Sequence, residues 1–96
     1  MDSRVYLTYL YDLYGTLLTD KQRKYFEAYY FDNLSLAEIS EEENISRNAI
    51  HKHITDATTK LETFEKELKI YEKNKKIISF AKKLDKKLQE ELLEII

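Results

Sequence analysis

The chain has 96 residues, with 16 lysines and arginines against 18 aspartates and glutamates, one glycine, and no proline or cysteine. This length allows a single domain, the lack of cysteine excludes thiol chemistry, and the scarcity of glycine and proline argues against β-hairpins, so an all-α domain is expected. No apolar run approaches the roughly 20 residues of a membrane span, and no signal peptide is visible, so we expect a cytoplasmic protein without a membrane span.

The first two predicted helices cover 4–17 and 20–31. Apolar residues of the first recur at spacings of four, three and four, which is the helical period; they are Tyr6, Leu10, Leu13 and Leu17. The second begins after Thr19, which is followed three residues later by Gln22. This pairing is a capping-box signature and marks a helix start.

A tight turn is predicted between the third and fourth helices. Ser35 and Glu38 form a second capping box, and the short helix that they start ends near Glu43. Asn44 tolerates the left-handed conformation of a turn, and Ser46 is placed to cap the next helix. A short helix, a tight turn and a second helix predict a helix-turn-helix.

The fourth helix is predicted to be long, because no stop signal follows Ser46 for three heptads. Its apolar residues keep a 4-3 spacing that is typical of a coiled-coil seam; the rear part of this stripe is Ala57, Leu61, Phe64, Leu68 and Tyr71. We expect this seam to form a homodimer. The alternative is a helix that packs within its own chain, with its front half on the domain and its rear half on the last helix.

The fifth and last helix, 74–96, is predicted to be amphipathic, with a lysine-rich outer face. Residues 1–59 carry six basic and ten acidic side chains, whereas residues 60–96 carry ten and eight. A basic patch is predicted from seven lysines: Lys73, Lys75, Lys76, Lys82, Lys83, Lys86 and Lys87. These lysines are candidates for contacts with nucleic-acid phosphates. An equally weighted interpretation is that they only keep the outer face of the helix solvated. We therefore expect one domain over 1–96, with a helix-turn-helix core at 19–60 and the rest of the long helix and the amphipathic helix at 61–96.

Catalysis is poorly supported by the sequence. His51 and His53 are two residues apart on a helix, so they point about 200° apart and cannot share a metal ion. A single glycine cannot build a phosphate-binding loop, and no serine has a recognisable base partner. No catalytic residue, metal or cofactor is predicted, and we expect a protein that is not an enzyme.

Binding of nucleic acid is better supported. The second helix of a helix-turn-helix presents its first residues to the major groove; here these are Ser46, Arg47, Asn48, His51, Lys52 and Thr55. Arginine suits guanine edges, asparagine suits adenine edges, and lysine suits phosphate. The start of the second helix offers further phosphate contacts, namely Lys21, Arg23 and Lys24. Asp56 and the three glutamates 41–43 would repel phosphate, so a module that binds only proteins is the alternative.

Four segments resemble region 4 of bacterial sigma factors: LTDKQR (18–23), YY (29–30), SLAEISEE (35–42) and ISRNAI (45–50). Together with YLYDLY (9–14) and the long fourth helix, they resemble the YlxM family of small helix-turn-helix proteins. The match covers residues 5–73. It implies an all-helical, often dimeric fold and a DNA-binding or regulatory role linked to the signal recognition particle pathway, with its RNA or protein as a further partner. With the helices read from the residues, we expect a five-helix, sigma-region-4-like fold.

Some positions depart from the family pattern. Thr55 and Asp56 stand where basic residues are usual, His51 replaces an aromatic residue, and Glu43 replaces an apolar one. These departures bear on DNA affinity more than on the fold. If RNA is bound, the patch from Lys73 to Lys87 is the expected contact, because the major groove of A-form RNA is too narrow for a helix.

Overall fold

A computed structural model describes residues 3–96. Within this range the chain forms six α-helices, one short 3-10 turn at Gly15–Leu17, and no strand. The helices are α1 (Ser3–Tyr14), α2 (Asp20–Tyr30), α3 (Leu36–Glu43), α4 (Arg47–Leu68), α5 (Ile70–Ala81) and α6 (Lys86–Ile95). The all-α prediction and the long fourth helix are confirmed, whereas the predicted number of five helices is wrong.

The three predicted helix starts are confirmed by their hydrogen bonds. The Thr19 hydroxyl accepts the Gln22 amide at 3.2 Å, and the Gln22 side chain accepts the Thr19 amide at 3.0 Å. Ser35 and Glu38 make the same reciprocal pair. These bonds satisfy amide groups that have no partner within the first turn of a helix, which is why α2 and α3 begin where they do.

The turn between α3 and α4 has the predicted left-handed residue. Asn44 has φ 56° and ψ 41°, and its amide donates to the Ser40 carbonyl. The Ser40 hydroxyl donates to the Ile45 carbonyl. Ser46 then caps α4 by accepting the Ala49 amide at 3.1 Å. Asparagine adopts a positive φ at a low energetic penalty, so Asn44 can form the tight turn that joins α3 to α4.

Two clusters of buried side chains hold these helices together. One joins α1, α2 and α4 around Leu10, Phe26 and Leu61, which are completely buried. The other joins α2, α3 and α4 around Ile39 and Ile50. Because α2 and α4 contribute to both clusters, the helix-turn-helix and α1 form one packed unit; we call residues 3–68 the head.

The predicted fourth helix stops earlier than its apolar pattern suggests. It ends at Leu68, and Lys69 adopts a left-handed conformation with φ 55° before α5 begins. The physical cause is Glu65, whose carboxylate is buried and accepts hydrogen bonds from the Tyr71 amide at 2.9 Å and the Glu72 amide at 3.1 Å. Glu65 thereby supplies the partners that the first amides of α5 need.

The predicted fifth helix is also divided in two. After Ala81 the chain turns, and the Asp85 side chain accepts the Leu88 amide at 2.9 Å to cap α6. We call residues 70–96 the arm. In the arm only Ala81 is buried.

The arm gives the molecule an elongated shape. The radius of gyration is 16.7 Å, and the extents along the principal axes are 54, 25 and 22 Å. A compact domain of this length has a radius of gyration of about 12.5 Å.

Candidate nucleic-acid interface

The first half of α4 presents one polar face. Ser46, at the helix start, is exposed, and so are five residues of the helix: Arg47, Asn48, His51, Lys52 and Thr55. Spacings of one and four residues place these five side chains on the same side of the helix. Ile50 and Ile54 are buried on the opposite side and pack on α2 and α3. The structure therefore brings the six predicted groove-facing residues together.

The two histidines of α4 differ in their surroundings. His51 lies on the exposed face, whereas His53 is half-buried with its ring 5.3 Å from the Tyr25 ring. His53 therefore helps to pack α4 on α2. Within residues 3–96 no group of three or more aspartate, glutamate or histidine side chains is placed to hold a metal ion.

One of the two cations on the exposed face is already paired. The Lys52 Nζ lies 2.9 Å from the Asp56 Oδ2, one helical turn further on. Arg47 has neither a hydrogen bond nor an ion pair with any residue from 3 to 96. Arg47 is therefore the cation on this face that can meet a ligand without first breaking an ion pair.

One of the predicted phosphate contacts on α2, Lys21, lies far from the first turn of α4. Gln22 accepts a hydrogen bond from Lys60 at 3.3 Å, so the start of α2 lies beside the middle of α4. Lys60 follows Arg47 by 13 residues, which is about 20 Å along a helix. Lys21, next to Gln22, is exposed at this distant place.

The other two α2 cations contact groups of the protein itself. The Lys24 Nζ lies 2.7 Å from the Glu43 Oε1, and this pairing raises the pKa of Lys24. Arg23 is half-buried beside Tyr11, and burial raises the pKa of the Tyr11 hydroxyl. Of the three, Lys24 lies nearest the turn, because Glu43 is the last residue of α3.

The predicted dimer seam is largely used inside the protomer. Ala57 and Leu61 are completely buried in the head, and Phe64 packs on Tyr14 with ring centroids 6.0 Å apart. Tyr71 is on α5, where its ring meets the Tyr6 ring at 5.2 Å. Of the five seam residues only Leu68 is exposed. Within the protomer, α1 and α2 therefore cover most of this stripe.

The predicted basic patch lies on the arm. All seven of its lysines are exposed, and Lys76 lies 3.5 Å from Glu72. At 100° per residue the lysines of α5 point in two directions: Lys75 points to one side, and Lys73 and Lys76 point to the other. The lysines of α5 therefore do not form a single flat face.

Sequence reasoning missed Glu65 and Tyr14. The Tyr14 hydroxyl donates to the Glu65 carboxylate at 2.7 Å and accepts the Ile70 amide at 3.2 Å. Burial, followed by the bond to Glu65, raises the pKa of Tyr14. The sequence does contain a signal for Glu65, because it follows Leu61 by four residues and therefore lies on the apolar side of α4. Nothing local in the sequence indicates Tyr14, which lies 51 residues before Glu65.

No helix formed by residues 3–96 combines the length and the apolar character that crossing a membrane requires.

Comparison with known proteins identifies relatives over the whole chain. A family model described as "Putative helix-turn-helix protein, YlxM / p13 like" matches residues 1–95. A protein of Halalkalibacterium halodurans is 39% identical over 101 aligned residues, which cover 100% of this chain and 93% of the relative. A protein of Thermoanaerobacter sp. is 41% identical over 88 residues, which cover 92% of this chain and 75% of the relative. Both relatives are named only as UPF0122 proteins. The chain therefore belongs to UPF0122, the family of YlxM/p13-like helix-turn-helix proteins.

Proposed function

We propose that this protein binds duplex DNA as a non-enzymatic regulator, with the first half of α4 in the major groove. The observation that carries the proposal is the exposed polar face of α4, which begins at Ser46 directly after the left-handed turn at Asn44. An α-helix fits the width of the B-DNA major groove. The helix-turn-helix family and the sequence resemblance to sigma region 4 agree with this use of α4.

The residues of this face have distinct roles in the proposed complex. Arg47 can donate two hydrogen bonds to a guanine edge, and Asn48 can bond an adenine edge. The amides at the start of α4, beside Ser46, are suited to a phosphate. Lys52 reaches a second phosphate after it leaves Asp56.

The acidic groups near this face limit affinity. Asp56 competes for Lys52, and Glu43 competes for Lys24. Each phosphate contact that the protein makes contributes about one unit to the slope of log affinity against log salt. We therefore expect weak binding with a shallow salt dependence.

The test is a fluorescence titration of the protein into random-sequence duplex DNA at low and at physiological salt. Arg47→Ala removes the unpaired cation of the polar face and is expected to weaken binding about tenfold. Lys66→Ala is the matched control, since it removes one exposed cation from the far end of the same helix. Equal affinities for the two variants would contradict the proposed role of α4.

A second candidate ligand is structured RNA, including the RNA of the signal recognition particle. The supporting observation is the seven exposed lysines of the arm, which lie apart from the helix-turn-helix. A-form RNA is bound through its phosphates and minor groove and needs no helix in its major groove. Loss of RNA binding in Lys73→Ala/Lys76→Ala, with RNA binding retained in Arg47→Ala, would identify this mode. Both nucleic acids are cytoplasmic ligands, and we propose that the protein acts there.

A third outcome is binding of neither nucleic acid. Failure of the parent protein to bind DNA or RNA even at low salt would contradict both proposals. The chain would then be better described as a protein-interaction adaptor that keeps the helix-turn-helix shape, with a protein of the signal recognition particle among the candidate partners.

A further inference from the structure

His51 is the residue of the exposed α4 face whose side chain belongs to a type that changes charge near neutral pH. Histidine is the side chain that normally gains or loses its proton between about pH 5 and 8. The chain has two histidines and no cysteine, and the second histidine, His53, packs on the Tyr25 ring. A proton gained by the exposed face in this range of pH is therefore gained by His51.

His51 lies in the middle of a row of exposed side chains. Arg47 precedes it by one helical turn, and Thr55 follows it by one turn, so the three lie on the same side of α4. His51 has neither a hydrogen bond nor an ion pair with any residue from 3 to 96. Its ring is therefore available to a ligand that meets this face.

The charge of His51 decides how many unpaired cations the face presents. Lys52, the next residue, is held by Asp56 at 2.9 Å, so Arg47 is the unpaired cation when the His51 ring is neutral. Protonation of His51 adds a second one. For a surface whose affinity is limited by nearby acidic groups, this is a large relative gain in attraction to phosphate.

The helices that pack on the first half of α4 also carry charged groups, and none of these groups pairs with His51. Lys24 of α2 is paired with Glu43 of α3. The other charged residues of α3 are Glu38 and the glutamates at 41 and 42, all of them exposed. The proton on His51 is therefore not committed to a partner inside the protein.

We propose that His51 couples DNA binding to proton uptake: when α4 enters the major groove, the ring gains a proton and donates a hydrogen bond to a backbone phosphate. This inference rests on the proposed function and adds regulation by pH to the same site. A phosphate next to an imidazole favours its charged form, whereas a histidine in water loses its proton near about pH 6.5. By linkage, a fall in pH then strengthens binding.

The experiment is a titration of the protein into labelled random-sequence duplex DNA at low salt between about pH 6 and pH 8, where carboxylates and lysines keep their charge. Affinity should rise about fivefold from the upper to the lower end of that range, as expected for a histidine pKa that rises by about one unit on binding. The slope of log affinity against log salt should be steeper by about one unit at the lower pH. An unchanged slope would contradict a phosphate as the partner.

Three variants assign the proton. His51→Gln removes the charge and should bind weakly with no dependence on pH, whereas His51→Lys keeps a charge throughout and should bind at the higher pH about as well as the parent does at the lower pH. His53→Phe is the matched control, because it removes the other histidine, keeps a ring beside Tyr25 and should retain the pH dependence. His51 is exposed, so far-UV circular dichroism of its variants should match the parent.

The outcomes separate this inference from the proposed function. Binding that is independent of pH in the parent, or that depends on pH equally in His51→Gln, would overturn the role of His51 and leave DNA binding by α4 standing. Loss of the pH dependence in His53→Phe alone would assign the proton to the other histidine and would also overturn it. Failure of the parent to bind DNA at any pH in the range would contradict the proposed function and this inference together.

Discussion

The head and the arm are both almost entirely helical, but different interactions maintain them. The head has two clusters of buried side chains and three side-chain helix caps, whereas the arm buries one alanine and has one such cap, at Asp85. The comparison shows that helical periodicity in a sequence does not reveal whether a helix has a core to pack against. The head is a folded domain with its own core, whereas the side chains of the arm remain almost entirely exposed or half-buried.

The largest expected difference between the two regions is in how much free energy of unfolding is lost when a leucine is replaced by alanine. Leu61→Ala, in the core of the head, should lower the free energy of unfolding by about 2–5 kcal/mol, because it leaves a cavity. Leu88→Ala, on the exposed face of α6, should change the stability of the protomer by less than about 1 kcal/mol. Urea denaturation followed by circular dichroism measures both. Similar losses would mean that the arm has a core of its own.

The joint between the two regions should depend on Glu65. The Glu65 carboxylate accepts hydrogen bonds from Tyr14 and from the Tyr71 and Glu72 amides. Glu65→Gln replaces one accepting oxygen with an NH2 group that faces these donors, so it should lower the free energy of unfolding by about 2 kcal/mol. The direction of α5 should also loosen, which small-angle scattering would detect as a change in the radius of gyration. Glu67→Gln, an exposed change on the same helix, is the control. If both variants behave like the parent, Glu65 does not set the direction of the arm.

Alkaline pH should weaken the head. Burial raises the pKa of four head tyrosines, namely Tyr6, Tyr11, Tyr14 and Tyr30. A raised pKa means that the folded state holds these protons more tightly, so stability is fully present below the unfolded pKa of about 10 and is lost as pH rises through the folded values. Denaturation midpoints should fall steadily above about pH 10. Tyr14→Phe should reduce the steepness of that fall, and an unchanged profile would argue against a protonated Tyr14 as the relevant donor.

The smallest expected effect distinguishes two of the three residues within 3–96 that have a left-handed backbone, which are Asn33, Asn44 and Lys69. Asn44 ends α3, and Lys69 separates α4 from α5; both have φ near 55°. Lysine tolerates this conformation less well than asparagine, so Lys69→Gly should stabilise the protein by up to about 1 kcal/mol, and Asn44→Gly by less. Thermal unfolding of the two variants makes the comparison. A larger gain at Asn44 would show that the turn between α3 and α4 carries the greater strain.

The start of each head helix after α1 could be predicted because its cause is local. Each of the three side-chain caps acts over three residues, so a short stretch of sequence contains the whole interaction. The pairs are Thr19 with Gln22, Ser35 with Glu38, and Ser46 with Ala49. The same holds for the exposed side of α4, since burial of Ile50 and Ile54 fixes the opposite face.

The end of α4 could not be predicted, because part of its cause, the contact between Glu65 and Tyr14, joins residues distant in the chain. The apolar stripe continues through Leu68 to Tyr71, and by itself it favours one uninterrupted helix. Glu65 ends that helix with the help of Tyr14, which only the fold brings within hydrogen-bond distance. The use of the stripe was likewise decided by tertiary structure, since α1 and α2 occupy the surface that a second copy was expected to cover.

The sequence by itself thus determined the helical class, the starts of α2, α3 and α4, and the polar face of α4, because hydrogen bonds between near neighbours and the helical period are local properties. Tertiary structure decided the ion pair that occupies Lys24 and the buried role of Glu65. The Lys24–Glu43 and Tyr14–Glu65 contacts join residues far apart in the chain, and no short window of sequence contains both partners.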